Sequence, residues 1–218
     1  MIKKAIIIGN GQKPSKLVIS RLQNNGFTDI VCADGGANNL FKLNIIPKFI
    51  IGDLDSIRPD VLDYYSSKTK VIKVKDQNST DIEKCLNKLI KLNYSEAVLL
   101  SCTGNRLDHS LGNLSIMYKY AESIKTHLVH QKSFLSIFNN KISLDTTPGE
   151  IISFFGINPI IKISTTGLKY NLNNETITFG FRESISNKAM LDKVTLEVTD
   201  KIFLIRDIEY ILKNDFLK

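Results

Sequence analysis

The sequence predicts an α/β protein in which an N-terminal parallel-sheet α/β domain is followed by a C-terminal antiparallel β-sandwich. Apolar runs recur at residues 5–8 (AIII), 30–33 (IVCA), 49–51 (FII), 71–74 (VIKV) and 97–100 (AVLL). The segments between them are long enough for helices, and strands alternating with helices imply a parallel sheet covered on its faces. From about residue 126 the texture changes. "SFLSIF", "KISL", "GEIISFFGI", "IIKIST", "ETITFGF", "KVTLEVT" and "KIFLIRD" are short, rich in β-branched and aromatic residues, and separated by turn formers. That is the pattern of a mostly antiparallel sandwich. We place the domains at residues 1–125 and 126–218.

Taken in order, the first strand runs into "GNGQKP", whose spacing matches neither a Walker loop nor G-x-G-x-x-G and so carries no phosphate role. The second strand ends in "DGGANN", the third in "GDLDS", and the fourth in "KDQNSTD", which closes on Asp81. There "TDIEKCLNKLIKL" predicts a helix: Ile82, Cys85, Leu86, Leu89 and Ile90 recur at helical spacing, and Thr80 with Glu83 forms a capping-box pair. After the fifth strand and "SCTGNRLDH", a second helix is predicted over "RLDHSLGNLSIMYKYA", with Leu107, Leu111, Leu114, Tyr118 and Ala121 as its apolar face.

Composition excludes several classes. With 218 residues and 43% hydrophobic content the chain can bury a substantial core. Its longest apolar runs fall far short of the ~20 residues that span a membrane. The apolar run in "MIKKAIIIGNG" breaks before a signal-peptide core of ~7 residues forms, so a soluble cytoplasmic protein is expected. Cys32, Cys85 and Cys102 are widely spaced without a C-x-x-C pair, which argues against a disulfide framework or zinc knuckle. His127 and His130 have no third metal ligand beside them. A net charge of +7 admits a polyanionic partner, either a nucleic acid or a phosphorylated small molecule. The lysines are dispersed, however, as on a solvated surface, so no nucleic acid is expected.

The acidic residues carry the chemistry. Asp53 and Asp55 are two apart, and in extended backbone they would share a face ~6 to 7 Å apart. At an effective dielectric near 20 that repulsion is ~2.5 kcal/mol, and a bound cation reverses its sign. Read alone, the pair fits a metal site and a polar turn equally well. Ligands of open parallel sheets bind outside the carboxyl ends of the strands, which places Asp34, Asp53, Asp55 and Asp81 on one rim. Their oxygen-only character suits Mg²⁺ or Mn²⁺ rather than zinc. Gly35 and Gly36 permit close backbone approach, the stretch from Thr103 to Arg106 enters a helix N-terminus, and Arg106 can grip a phosphate. Metal carboxylates beside phosphate donors suggest a metal-nucleotide site.

In order and spacing, "ADGGANNL" (33–40), "IGDLDSI" (51–57), "QNSTDIEKCL" (77–86) and "GNRLDHSLGNL" (104–114) resemble the motifs of the thiamine pyrophosphokinase (thiamine diphosphokinase) family. "TTGLKYNL" (165–172) and "ESISN" (183–187) resemble its thiamine-binding segments. The resemblance covers most of the chain. It implies transfer of diphosphate from ATP to the hydroxyl of thiamine, giving thiamine diphosphate and AMP, by a homodimer with shared sites. It further implies that Asp53, Asp55 and Asp81 ligate Mg²⁺ with Asp34 nearby, and that Arg106 and Asp108 join them in catalysis. On the same basis Gly35, Gly36, Gln77, Thr80 and Asn113 would contact ATP, while Tyr170, Ser184, Ser186 and Asn187 would hold thiamine. The chain departs from the family pattern where Tyr170 replaces the usual Trp and Gly104-Asn105 the usual Gly-Gly. Two other readings of the residues stay open: a Mg²⁺-dependent nucleotide hydrolase with another acceptor, and a nucleic-acid-binding regulator, which leaves the aspartates without a role.

Overall fold

Residues 5–8 have no polar side chain to keep in water, and they lie fully buried at the centre of a parallel sheet. The computed structural model describes residues 2–104 and 106–213. It divides into two compact units, Met1–His130 and Gln131–Lys218. In the first, β1 (Lys3–Ile8), β2 (Asp29–Ala33), β3 (Phe49–Gly52), β4 (Lys70–Lys73), β5 (Tyr94–Leu100) and β6 (Lys125–His130) pair in parallel in the order β6-β5-β1-β2-β3-β4. Helices α1 (Lys16–Asn24), α2 (Gly36–Phe41), α3 (Pro59–Ser66), α4 (Asp81–Lys91) and α5 (Leu107–Tyr120) connect them. At the edge, β4 is short and exposes Lys70 and Lys73, which discourages further pairing. The division expected after residue 125 falls at the start of β6. The units separate after His130, because β6 pairs in parallel with β5.

Helix α4 forms as its periodicity predicts: Ile82, Cys85, Leu86 and Leu89 are buried, and Thr80 accepts a hydrogen bond from the Glu83 N–H at 3.2 Å. Helix α5 forms over the expected residues but turns a different face inward. Leu107 and Leu111 are 72% and 57% exposed, while Asn113, Ile116 and Met117 are buried. The cause is polar: Asn113 Nδ2 donates to the Cys102 carbonyl at 2.6 Å, which fixes the helix's rotation.

The second unit is antiparallel. It contains β7 (Ser133–Asp145), β8 (Ile151–Gly156), β9 (Ile163–Thr166), β10 (Ser184–Lys188) and β11 (Lys193–Asp207), followed by α6 (Ile208–Lys213). "SFLSIF" and "KISL" are halves of β7, and "KVTLEVT" and "KIFLIRD" are halves of β11, joined across a register shift between Val198 and Ile202. Before that shift β11 pairs with β9; after it β11 pairs with β8. One long hairpin thus serves two sheets, and Leu144, Phe154, Ile163, Leu196 and Leu204 fill the core between them. "ETITFGF" was expected as a strand but makes isolated bridges only, among them Thr178 to Arg182. Gly180 at φ +81 reverses the chain there and leaves Phe179 and Phe181 exposed. No helix among the described residues is long and apolar enough to cross a membrane.

Candidate functional site

The strand order places the first unit's switch point between β1 and β5, where connections leave the sheet in opposite directions and a crevice opens at the carboxyl edge. At that edge the chain turns sharply after three strands, with Asp34, Leu54 and Ser101 all at positive φ. Such a conformation costs non-glycine residues energy and is kept where the turn serves the site. Residues 9–11, set aside on spacing, lie in the crevice: the Gly11 N–H donates to the Ser101 carbonyl at 2.8 Å. A Cβ on either Gly9 or Gly11 would meet the Ser101 oxygen at 2.6 Å. Asn39 Nδ2 donates to the Gly9 and Gly11 carbonyls and ties this loop to α2.

Asp34 is the hub of the acidic rim. It is 1% exposed, and its carboxylate accepts the Ser56 and Ile57 N–H groups at 3.2 and 3.1 Å, drawing the loop after β3 over the end of β2. Gly52 makes this possible, since a Cβ there would stand 2.6 Å from Asp34 Cβ. Carboxylate oxygens of Asp34, Asp53 and Asp81 all lie within 4.8 Å of one another. Asp55 is exposed and accepts from Ser56 Oγ at 2.9 Å, yet its carboxyl still bears on Asp34. The extended D-x-D geometry does not hold, because Leu54 at φ +68 turns the chain between the two aspartates.

The electrostatics reflect this crowding. Burial pushes the Asp34 carboxyl up to about 6; the Ser56 N–H opposes the shift, while Asp81, Asp55 and Asp53 add to it. Burial works against an ionised Asp53 as well, but the Asp55 N–H, Lys84 and a hydrogen bond from Asp34 outweigh it and hold Asp53 below the usual range. One environment thus pushes the two carboxyls in opposite directions. Asp53 Oδ1 is buried without a hydrogen-bond partner among the described residues. Lys84, which the sequence reading passed over, is 7% exposed and pairs with Asp81 Oδ1 at 2.9 Å.

The other expected ATP contacts surround this rim in several roles. Gly36 is demanded by packing, because a Cβ there would stand 2.1 Å from the Ile8 carbonyl oxygen, and Gly35 lies under the Asn10 side chain. Thr80 caps α4, Gln77 is exposed in the loop before it, and Asn113 anchors the loop after β5. Arg106 and Asp108 pair with each other at the exposed start of α5, and Arg106 holds the Asp108 carboxyl down to about 2. Asn105 lies outside the described residues. The two histidines part company: His130 Nδ1 meets Thr103 Oγ1 at 2.7 Å at the carboxyl edge, while His127 is buried against Glu96.

In the second unit Tyr170, Ser184 and Asn187 line one cleft together with Leu172, Ile177, Arg182, Glu183 and Ile185. The Tyr170 ring is exposed. Asn187 is buried and bonds both the N–H and the carbonyl of Tyr170, at 3.1 and 2.8 Å, so it positions that residue's loop. Ser186 sits at φ +56 and donates its N–H to Ser153 Oγ.

Two family models match the chain: "Thiamin pyrophosphokinase, catalytic domain" over residues 22–128 and "Thiamin pyrophosphokinase, vitamin B1 binding domain" over 139–203. Thiamine pyrophosphokinase 1 of Arabidopsis thaliana is 31% identical over 196 residues, which cover 77% of this chain and 73% of that one. The Bacillus subtilis thiamine pyrophosphokinase is 27% identical over 197 residues, covering 82% and 88%. The solved thiamin pyrophosphokinase of Candida albicans superposes with a TM-score of 0.82 at 20% identity, over 94% of this chain and 89% of that one, a likeness of fold.

Proposed function

The chain belongs to the thiamin pyrophosphokinase family, and we propose that the acidic rim of its first unit carries the family's reaction with Mg²⁺ held by Asp53, Asp55 and Asp81, Asp34 standing beside them. The enzyme transfers diphosphate from ATP to thiamine, giving thiamine diphosphate and AMP. The observation that carries the metal reading is the orphaned, buried Asp53 Oδ1 inside a trio of carboxylates within 4.8 Å of one another. A buried carboxylate oxygen without a partner is costly, and an all-oxygen donor set suits a hard divalent cation. When bound, Mg²⁺ would neutralise charge developing on the phosphates.

The residues themselves account for the rest. The thiamine hydroxyl oxygen bonds to the β-phosphorus of ATP as the bridge to the α-phosphorus breaks; AMP leaves with that bridging oxygen, and the hydroxyl proton passes to a rim carboxylate. Such a transfer depends on alignment and charge balance more than on covalent chemistry. Arg106 with Asp108 holds the phosphates from the start of α5, where the helix N-terminus favours anions. Gly35, Gly36, Gln77, Thr80 and Asn113 shape the ATP side, and Tyr170, Ser184, Ser186 and Asn187 hold thiamine. The reading includes a cytoplasmic homodimer. Free cysteines at positions 32, 85 and 102 fit a reducing compartment, and exposed Phe179 and Phe181 supply apolar surface for a second copy.

The test is incubation with ATP, thiamine and Mg²⁺ and chromatographic identification of products. Thiamine diphosphate and AMP should form in equal amounts and only with all three present. AMP released without thiamine would favour the hydrolase reading instead.

A further inference from the structure

Lys84 is the one lysine on α4 whose side chain faces away from water: 5% of it is accessible, and its Nζ sits 2.9 Å from Asp81 Oδ1, one helical turn away. Lysine is almost never buried this fully, because removing an ammonium from water costs several kcal/mol unless its surroundings compensate. Here they do, since Asp81 bonds it directly and the charges of Asp53 and, from the loop before α4, Asp76 add to that attraction. The rim carries more acids than this one ammonium offsets: Asp34, Asp53 and Asp81 bring up to three negative charges, with Asp55 beside them, and Lys84 returns one.

We propose that Lys84 is a positioning residue and resident counter-cation of the metal centre. It keeps the carboxylates gathered when no ion is bound and limits how tightly the ion binds, so that Mg²⁺ can enter and leave with the nucleotide. The inference rests on the metal reading given above. It differs from a purely structural role in one respect: a structural lysine stabilises the protein equally with and without metal, whereas a counter-cation is redundant once Mg²⁺ arrives. Lys84 and Mg²⁺ are then thermodynamically coupled with opposing sign.

The experiment compares Lys84→Met, Lys84→Arg and the wild-type protein by thermal melting in EDTA and at saturating Mg²⁺, and by calorimetric titration with Mg²⁺ alone. Lys84→Met should lose about 5 °C in EDTA and regain most of it with Mg²⁺. By linkage it should also bind Mg²⁺ about tenfold more tightly than wild type. Lys84→Arg, which keeps the cation, should behave as wild type. An equal loss with and without Mg²⁺, together with unchanged affinity, would overturn the proposal, as would Lys84→Arg behaving like Lys84→Met. If Lys84→Met does not fold, Lys84→Gln serves in its place under the same criteria. A wild-type protein showing neither a Mg²⁺-dependent melt nor titration heat overturns the metal reading itself, an outcome visible before any variant is made.

Discussion

The two edges of the parallel sheet handle buried charge in opposite ways. At the amino edge Glu96, on β5, stands in register with Lys4 on β1 and Lys125 on β6, and both ammonium groups reach it, at 2.9 and 3.0 Å. His127 Nε2 adds a hydrogen bond at 2.7 Å. Because an ionised carboxylate only accepts, Nε2 carries the proton. At the carboxyl edge the acids outnumber the cations among the described residues, where one carboxylate oxygen is buried without a partner and Lys84 alone pairs with a member of the trio. A fold that balances its charges on one edge and leaves an anionic excess on the other has reserved the second for a ligand. That contrast, more than any single aspartate, marks the site.

The sharpest way to break the comparison is to neutralise one charge at each edge. Asp53→Asn removes the orphaned oxygen's charge. It should lower kcat about 1000-fold, some 4 kcal/mol of transition-state stabilisation, measured by AMP formation. Turnover near the wild-type value would sink the contrast. Glu96→Gln should do the reverse, costing about 3.5 kcal/mol of stability because Lys4 and Lys125 lose their anion, while kcat per folded molecule stays within twofold. A kinetic loss there without a loss of stability would show that the amino edge is not merely structural.

A slightly smaller effect comes from acid. Burial pulls the His127 imidazole below its ordinary 6.5 against the pull of Glu96. Burial would raise Glu96, but the His127 hydrogen bond and the charges of Lys125 and Lys4 prevail and hold it at about 2. Both folded-state values lie below the unfolded ones, so the unfolded chain binds more protons and stability must fall as pH falls. The His127 contribution begins to go below about 6.5, and that of Glu96 is complete above 4.5 and lost between there and about 2. The Glu96 part amounts to about 3 kcal/mol. Urea denaturation at stepped pH should show the decline in wild type and a flatter profile in Glu96→Gln; identical profiles would refute the assignment.

What was legible in the sequence follows from what periodicity can carry. Alternating apolar runs located β1 to β5, and Thr80 with Glu83 located the start of α4, because burial and capping are local. The gathering of Asp34, Asp53 and Asp81 was legible too, since all carboxyl ends of a parallel sheet share one edge. Contacts set by strand order were not. Gly9 and Gly11 occupy the crevice only because β1 lies beside β5, a pairing that no spacing in the chain encodes. The rotation of α5 depends on Asn113 reaching Cys102, and a hydrophobic pattern does not register a polar anchor. In the sequence Lys84 reads as one lysine among many, and its position three residues after Asp81 in a helix is the available signal.

The smallest expected effect tests whether balance at the amino edge matters only where it is buried. Lys48 reaches Asp29 Oδ2 at 2.8 Å beside the Tyr94 hydroxyl, a network built like that of Glu96. The Lys48 side chain is 48% exposed and that of Asp29 27%, however, so water already screens the pair. Desolvation of Asp29 is small enough that its bonds to Lys48 and Tyr94 still hold its carboxyl below the usual range. Lys48→Met should therefore cost about 0.5 kcal/mol, several-fold less than Glu96→Gln, and should shrink further in high salt, where Glu96→Gln should not. Equal costs for the two changes would mean that burial is not what separates them. The contrast between the edges would then have to rest on charge count alone, which the orphaned Asp53 oxygen at the opposite edge already makes unequal.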